Sequence, residues 1–228
     1  MTSRLPSLFA MPGNNGRTLR SAAVWLVLVA VSLPAPAQQP SAAPAAPAAG
    51  PQVVVLVNLR SKDVTITDIK FRAFYNKIEN KVIPLTHYDL KAAIQDEVMT
   101  TLAEDKRAQW RLATPEDGLN GMALADDKQR TPAMLASLKG DRVLVVDVYG
   151  VQGFIHSMVK NMVIGVNVIH IDRDGRKLWK KGVNEKMKFP GSIEESQADN
   201  QKGLKLAVNA LIEKFCASMR TKLTEQKI

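Results

Sequence analysis

RVLVVDVYGVQGFIHSMVKNMVIGVNVIHIDRDGRKLWKKGVNEKMK, residues 142–188, is the stretch whose reading decides the fold. Residues 143–151 form a nearly all-apolar run. Both of its alternating faces, Val143/Val145/Asp147/Tyr149 and Leu144/Val146/Val148, are mostly apolar. A strand apolar on both sides is a central one, covered by packing layers above and below. Residues 150–161 read as a connection, with Phe154, Ile155 and Met158 as an apolar tip that meets a partner, a membrane surface or the core. Residues 159–171 form the longest strand. Asp172-Arg173-Asp174-Gly175 carries the D-G turn signal of a hairpin, and residues 176–188 return as a basic edge strand, its lysines discouraging further pairing.

Helices flank this core on both sides in sequence. From Ser196 to about Glu225, Leu204, Val208, Leu211, Phe215 and Met219 recur at three and four, with Lys205, Glu213, Lys214 and Arg220 opposite, which predicts a long amphipathic helix. Upstream, Thr86-His87-Tyr88-Asp89 has the spacing of a capping box with Asp in place of Glu. The helix it opens, with Leu90, Ile94, Val98 and Leu102 on one face, runs to about Asp105. Thr131-Pro132 opens a short helix closed by Lys139-Gly140.

The remaining strands are 52–59 (QVVVLVNL), a second run over 64–75 bent near Asp68, and a short one over 109–113; residues 76–80 read as a polar loop. The expected fold is therefore α/β: a mixed sheet of about five or six strands with two long helices and one short helix packed on it.

The first 50 residues stand apart. Arg4, Arg17 and Arg20 precede an apolar run over 21–33, and Ala35-Pro36-Ala37 supplies a small-residue cleavage pattern. Basic, apolar, small is the order of a secretory signal peptide, and the apolar run falls short of the roughly 20 residues that span a bilayer. Residues 1–37 are thus read as a cleavable signal peptide, 38–50 (three prolines, six alanines) as a disordered tether, and 51–228 as one α/β domain. The expected location is the periplasm. No cysteine stands beside the cleavage pattern, so a lipoprotein is not expected; nor is a membrane span once the signal is removed.

Cleavage would remove three arginines and no acid, so the net charge of +9 becomes +6. In an exported protein this modest surplus points to anionic envelope glycans, lipid head groups or an acidic envelope protein, and away from nucleic acid. Cys216 is the single cysteine, so no internal disulfide forms and stability has to come from the core.

Chemical motifs are sparse. His87, His156 and His170 show no ligand spacing, and Asp172-x-Asp174 fails as a calcium loop, because its sixth and twelfth positions are Lys177 and Val183. There is no nucleophile elbow and no glycine-rich phosphate loop. No cofactor, no metal and no catalytic residue is expected. Asp147, inside an apolar strand, reads either as a perturbed acid or as a carboxylate bonded to backbone or to an arginine; an unrecognised enzymatic or small-ligand site near Asp147, His170 and Asp172 is the alternative.

The leading binding surface is the basic hairpin. Arg173, Arg176, Lys177, Lys180 and Lys181 surround Trp179, with Lys186 and Lys188 beyond. Cations around an aromatic suit an anionic glycan, a lipid head or an acidic partner; the competing reading is a solvated edge strand whose lysines only prevent aggregation.

The helix from Thr86, the apolar strand over 143–148, the hairpin across 172–175 and the helix from Ser196 come in an order that resembles periplasmic domains of the TolB amino-terminal type. That architecture is shared by the lipoprotein activators of penicillin-binding proteins and by the core of the curli secretion protein. The resemblance covers roughly residues 51–225. It implies a non-catalytic envelope adaptor or assembly factor, and transfers no functional residue.

Overall fold

The computed structural model describes residues 50–72, 75–156, 159–198 and 200–226. The expected signal peptide, and all of the expected tether except Gly50, lie outside the described residues. The elements run β1 (Gln52–Leu59), β2 (Val64–Arg72), β3 (Tyr75–Ile83), α1 (Leu90–Ala103), β4 (Gln109–Leu112), α2 (Gly121–Ala125), β5 (Arg142–His156), β6 (Val159–Asp172), β7 (Lys177–Lys188), α3 (Ile193–Gln197) and α4 (Lys202–Thr224). Two 3-10 turns, Pro115–Asp117 and Pro132–Leu135, flank α2.

All seven strands join one mixed sheet centred on β5. One flank of β5 is shared by two strands lying end to end. β1 runs parallel to its first half, from Val53 opposite Arg142 to Leu59 opposite Val148. β2 runs parallel to its second half, from Val64 opposite Val151 to Ile69 opposite His156. β4 and β3 extend the sheet beyond β1 and β2, respectively. On the other flank β6 pairs antiparallel with β5, and β7 pairs antiparallel with β6.

The junction between β1 and β2 is matched by a register shift in β5 between Val148 and Gly150. Gly150 has φ 129°, a backbone state that side-chain-bearing residues avoid, and a Cβ there would meet Cβ of Ser61 at 3.3 Å. Glycine lets the long strand jog where its neighbour changes.

Alternation along the strands sorts the side chains into two layers. On one face Val53, Val55, Leu144, Val146, Val148, Ile164, Val166 and Val168 pack under α1 and α4, which supply Ile94, Val98, Val208, Leu211, Phe215 and Met219. On the other, a smaller cluster of Val54, Val143, Val145, Ile169 and Ile171 lies under Leu124 of α2 and Leu135. This second cover reaches only the start of β5 and the end of β6.

The α/β class is as expected, and the structure corrects several details. The sheet has seven strands. Residues 76–80, expected as a loop, belong to β3, where Glu79 is bonded by Lys70 of β2 and by Lys77, so the strand's polar side chains serve cross-strand pairing. The expected connection over 150–161 is strand almost throughout, because β5 continues to His156 and β6 begins at Val159. The helix expected from Thr86 starts at Leu90. Its cap is Asp89, which accepts from the Ala92 amide at 3.0 Å, while His87 sits at φ 52°. The terminal helix is broken in two: Ser192 and Glu195 form a capping box for α3, and Gln201 at φ 42° separates α3 from α4. Gln201 also donates to the Pro84 carbonyl and accepts from the Thr86 amide, fastening the approach to α1 onto the start of α4. The short helix expected from Thr131-Pro132 to Lys139-Gly140 is only the 3-10 turn Pro132–Leu135, and the short helix α2 lies before it, capped by Asn120.

Candidate functional site

β7 is an edge strand of twelve residues, paired only with β6. Register divides its side chains. Trp179, Lys181, Val183, Glu185 and Met187 lie opposite His170, Val168, Val166, Ile164 and Met162 and share the face covered by α4. Trp179 is half-buried against that core, and Glu185 accepts from Ser218 of α4. Lys180, Asn184, Lys186 and Lys188 lie opposite Ile169, Gly165, Val163 and Asn161 on the other face. The cations around Trp179 are therefore split between two sides of the sheet.

They also differ in their partners. Arg176 bonds Asp174 at 2.7 Å and approaches Asp172 at 3.8 Å, and Lys177 bonds Asp127 at 2.6 Å. Arg173 is exposed in the β6–β7 turn. Among the described residues, Lys180, Lys181, Lys186 and Lys188 are exposed and make no ion pair. Among the described residues the unpaired positive charge of the hairpin thus sits on these four strand lysines and on Arg173 in the turn.

Asp147, His170 and Asp172 form no common site. Asp147 shares the face of Val143 and Val145 and is fully buried. Both its oxygens are engaged by Arg60, from Nε at 3.1 Å and from Nη2 at 2.6 Å, and Asn58 donates to it at 2.6 Å. This is the carboxylate-bonded-to-arginine arrangement. His170 lies on the opposite face, across from Leu144 and Trp179. Its Nε2 has no hydrogen-bond partner, and burial, with Arg142 nearby, pushes the imidazole down to about 4. Asp172 is occupied at the strand end, accepting from the Arg176 amide at 2.8 Å. Among the described residues no group of three His, Cys, Asp or Glu side chains could hold a metal.

Of the apolar tip, Phe154 is 39% exposed, Ile155 packs against the larger core, and Met158 lies outside the described residues. Cys216 is buried in α4, and its thiol is pushed up to about 12 by burial, with Glu97 adding repulsion. An inert buried thiol is what its place on the apolar helix face predicts.

Sequence reasoning missed one surface. Beyond the reach of α2, the face opposite α1 and α4 is uncovered among the described residues. Thr65, Gln152, Val163 and Lys186 form one cross-strand row on it, and Thr67, Phe154, Asn161 and Lys188 form the next. No local motif marks these residues, because they come together only through register. Among the described residues no helix is long and apolar enough to cross a membrane.

Among the described residues these features define a mixed α/β fold with a basic edge strand and a half-open sheet face. No family profile and no curated protein matches the chain. Solved structures with partial likeness include a hypothetical protein of Chlamydia trachomatis (12% identity, TM-score 0.48, covering 77% of this chain and 99% of that one). A protein of Xanthomonas campestris gives 13% identity and a TM-score of 0.43, covering 79% and 85%. A lipoprotein of Neisseria meningitidis gives 14% and 0.38, covering 73% and 98%.

Proposed function

We propose that the chain is an exported, non-catalytic adaptor or assembly factor of the cell envelope, which holds an envelope protein or an anionic envelope polymer against β7. The observation that carries this reading is the state of the edge: a long strand paired on one side only, with Lys180, Lys181, Lys186 and Lys188 exposed and free of ion pairs. Lysines on an edge repel a second basic strand and attract an acidic one, so the same residues that block self-association select an anionic partner. The export pattern of residues 1–37 supports a partner in the envelope. Element order, in its resemblance to the TolB amino-terminal type, supports the adaptor role.

An active site joining Asp147, His170 and Asp172 finds no support, since Asp147 and His170 stand on opposite faces and Asp147 is saturated with donors. Co-purification from envelope extract, comparing the unaltered protein with Lys180→Glu/Lys181→Glu, tests the proposal. Loss of the recovered partner in the charge-reversed protein, with an unchanged melting temperature, supports it. Undiminished recovery overturns it. Lys177 is left intact in this test because its bond to Asp127 gives it a structural role.

A further inference from the structure

On the uncovered sheet face Gly165 of β6 stands opposite Gly150 of β5 on one side and Asn184 of β7 on the other. Two adjacent strands thus meet at positions without a side chain, flanked by Asn184 of the third, and a hollow of about 200 Å³ opens over them. Tyr149, Gly150, Gln152, Val163, Gly165 and Asn184 line it. Gly150 is required by its backbone conformation, but Gly165 has no positive φ, so its backbone does not demand glycine. Glycine inside a strand weakens it and marks a close approach. A Cβ at Gly165 would stand 3.2 Å from Asn184 Oδ1 and 3.5 Å from Tyr149 Cδ2, crowding both walls of the hollow.

The walls are chemically specific. Tyr149 is held from two directions: the Arg60 guanidinium lies 4.4 Å from its ring centroid, and the Asn167 amide donates to its hydroxyl. It nevertheless stays 42% exposed, a fixed aromatic surface beside the hollow. Gln152 and Asn184 add two exposed amides, each able to donate and accept. Asp147, buried on this face, is neutralised by Arg60, while Lys186 stands opposite Val163 at the rim with no ion pair. The volume falls below the roughly 300–1,000 Å³ of drug-sized pockets and suits one ring of a longer ligand.

We propose that this hollow binds one sugar ring of an acidic polysaccharide, its apolar face against Tyr149, its hydroxyls bonded by Gln152 and Asn184, and its carboxylate met by Lys186. An aromatic surface with neutral amides fits a polyhydroxylated ring, and the unpaired Lys186 at the rim selects the acidic one. The inference goes beyond the adaptor reading, because it rests mainly on the floor of the sheet face, on Tyr149, Gly150, Gln152 and Gly165, and shares only Asn184 and Lys186 with β7.

Calorimetric titration of the purified protein with hexagalacturonate and with neutral chitohexaose tests it. Hexagalacturonate is expected to bind and chitohexaose to bind at least about fivefold more weakly, the contribution of one exposed ion pair. Tyr149→Ala should weaken hexagalacturonate about five- to tenfold, the worth of one ring contact, and Gln152→Ala, on an exposed side chain that leaves folding intact, several-fold. Gly165→Ala should weaken it while the control Gly182→Ala, whose Cβ has 3.5 Å to its nearest neighbour outside the hollow, does not. No heat with hexagalacturonate, equal affinity for both glycans, or unchanged binding in Tyr149→Ala and Gln152→Ala would each overturn the assignment. Partner recovery with Lys180→Glu/Lys181→Glu tests the edge, while Tyr149→Ala and Gln152→Ala with hexagalacturonate test the hollow, so failure of the edge reading and failure of this one are told apart.

Discussion

Arg60 and Asp147 meet through two parallel contacts across the junction where β1 gives way to β2, and only one of the pair is in water: the Asp147 side chain is 1% exposed, the Arg60 side chain 39%. The pair locks the jog in one strand to the jog in its neighbour. It also supports Tyr149 from beneath through the guanidinium.

Removing either partner should therefore have unequal effects. Arg60→Ala leaves a buried carboxylate with only Asn58 as donor and should cost about 2–4 kcal/mol. Asp147→Asn leaves an arginine that turns to water, with a polar side chain still beside Asn58, and should cost about 1 kcal/mol. Urea unfolding midpoints of the two variants check the order; equal losses would contradict it.

Asp117 gives a pH prediction. It is buried, accepts two bonds from Arg111 at 2.7 Å, and is bonded by the Thr114 amide. Arg111 above all, with the backbone amides, holds its carboxyl well below the usual carboxylate range, against an opposing effect of burial. Lys177 and Arg130 hold Asp127 down at about 2. A carboxyl depressed on folding contributes stability that is complete above its unfolded pKa, about 3.9, and is lost as pH falls toward the folded value. The melting temperature should thus drop steeply below about pH 4, and Asp117→Asn should start lower but fall less.

His170 acts in a higher window. Its imidazole is ordinary in the unfolded chain but pushed down to about 4 on folding, mainly by burial. Between about pH 6.5 and 4 the unfolded state binds the extra proton, so stability declines as pH falls through that range. His170→Leu removes both the titration and the unpartnered Nε2. Thermal melts of this variant should be flat from pH 6.5 to 5 where the unaltered protein declines. Parallel pH profiles would contradict the assignment.

Cys216 should be silent in the native state. Its thiol is buried and held up at about 12, so at pH 8 a thiol reagent should react only after denaturant is added. Stoichiometric labelling of the folded protein would place α4 elsewhere.

How much of this was legible depended on distance in sequence. The strands over 52–59 and 159–171, the D-G hairpin and the amphipathic faces of α1 and α4 carry their periodicity locally, and all five are present. The second half of β5 was not legible. Residues 150–161 read as a connection, yet Gly150 absorbs a jog and Gly153 makes room for Phe189, whose ring atoms a Cβ there would approach at 3.1 Å. β3 was hidden because its polar residues satisfy one another across the hairpin, leaving no apolar alternation to see. For the basic hairpin, residue types were readable but partners were not: Asp127, the partner of Lys177, lies fifty positions away. The glycine-floored hollow was invisible for the same reason, since Tyr149, Gly165 and Asn184 meet only through the pairing of three strands.

If β7 faces a partner, site-specific photo-crosslinking in intact cells should capture it. A photoreactive residue at Lys180 or Lys186 should give a defined adduct that fades with added salt, while one at Lys91, exposed on α1, should give none. Adducts from Lys91 alone, or of equal yield from all three positions, would contradict the account.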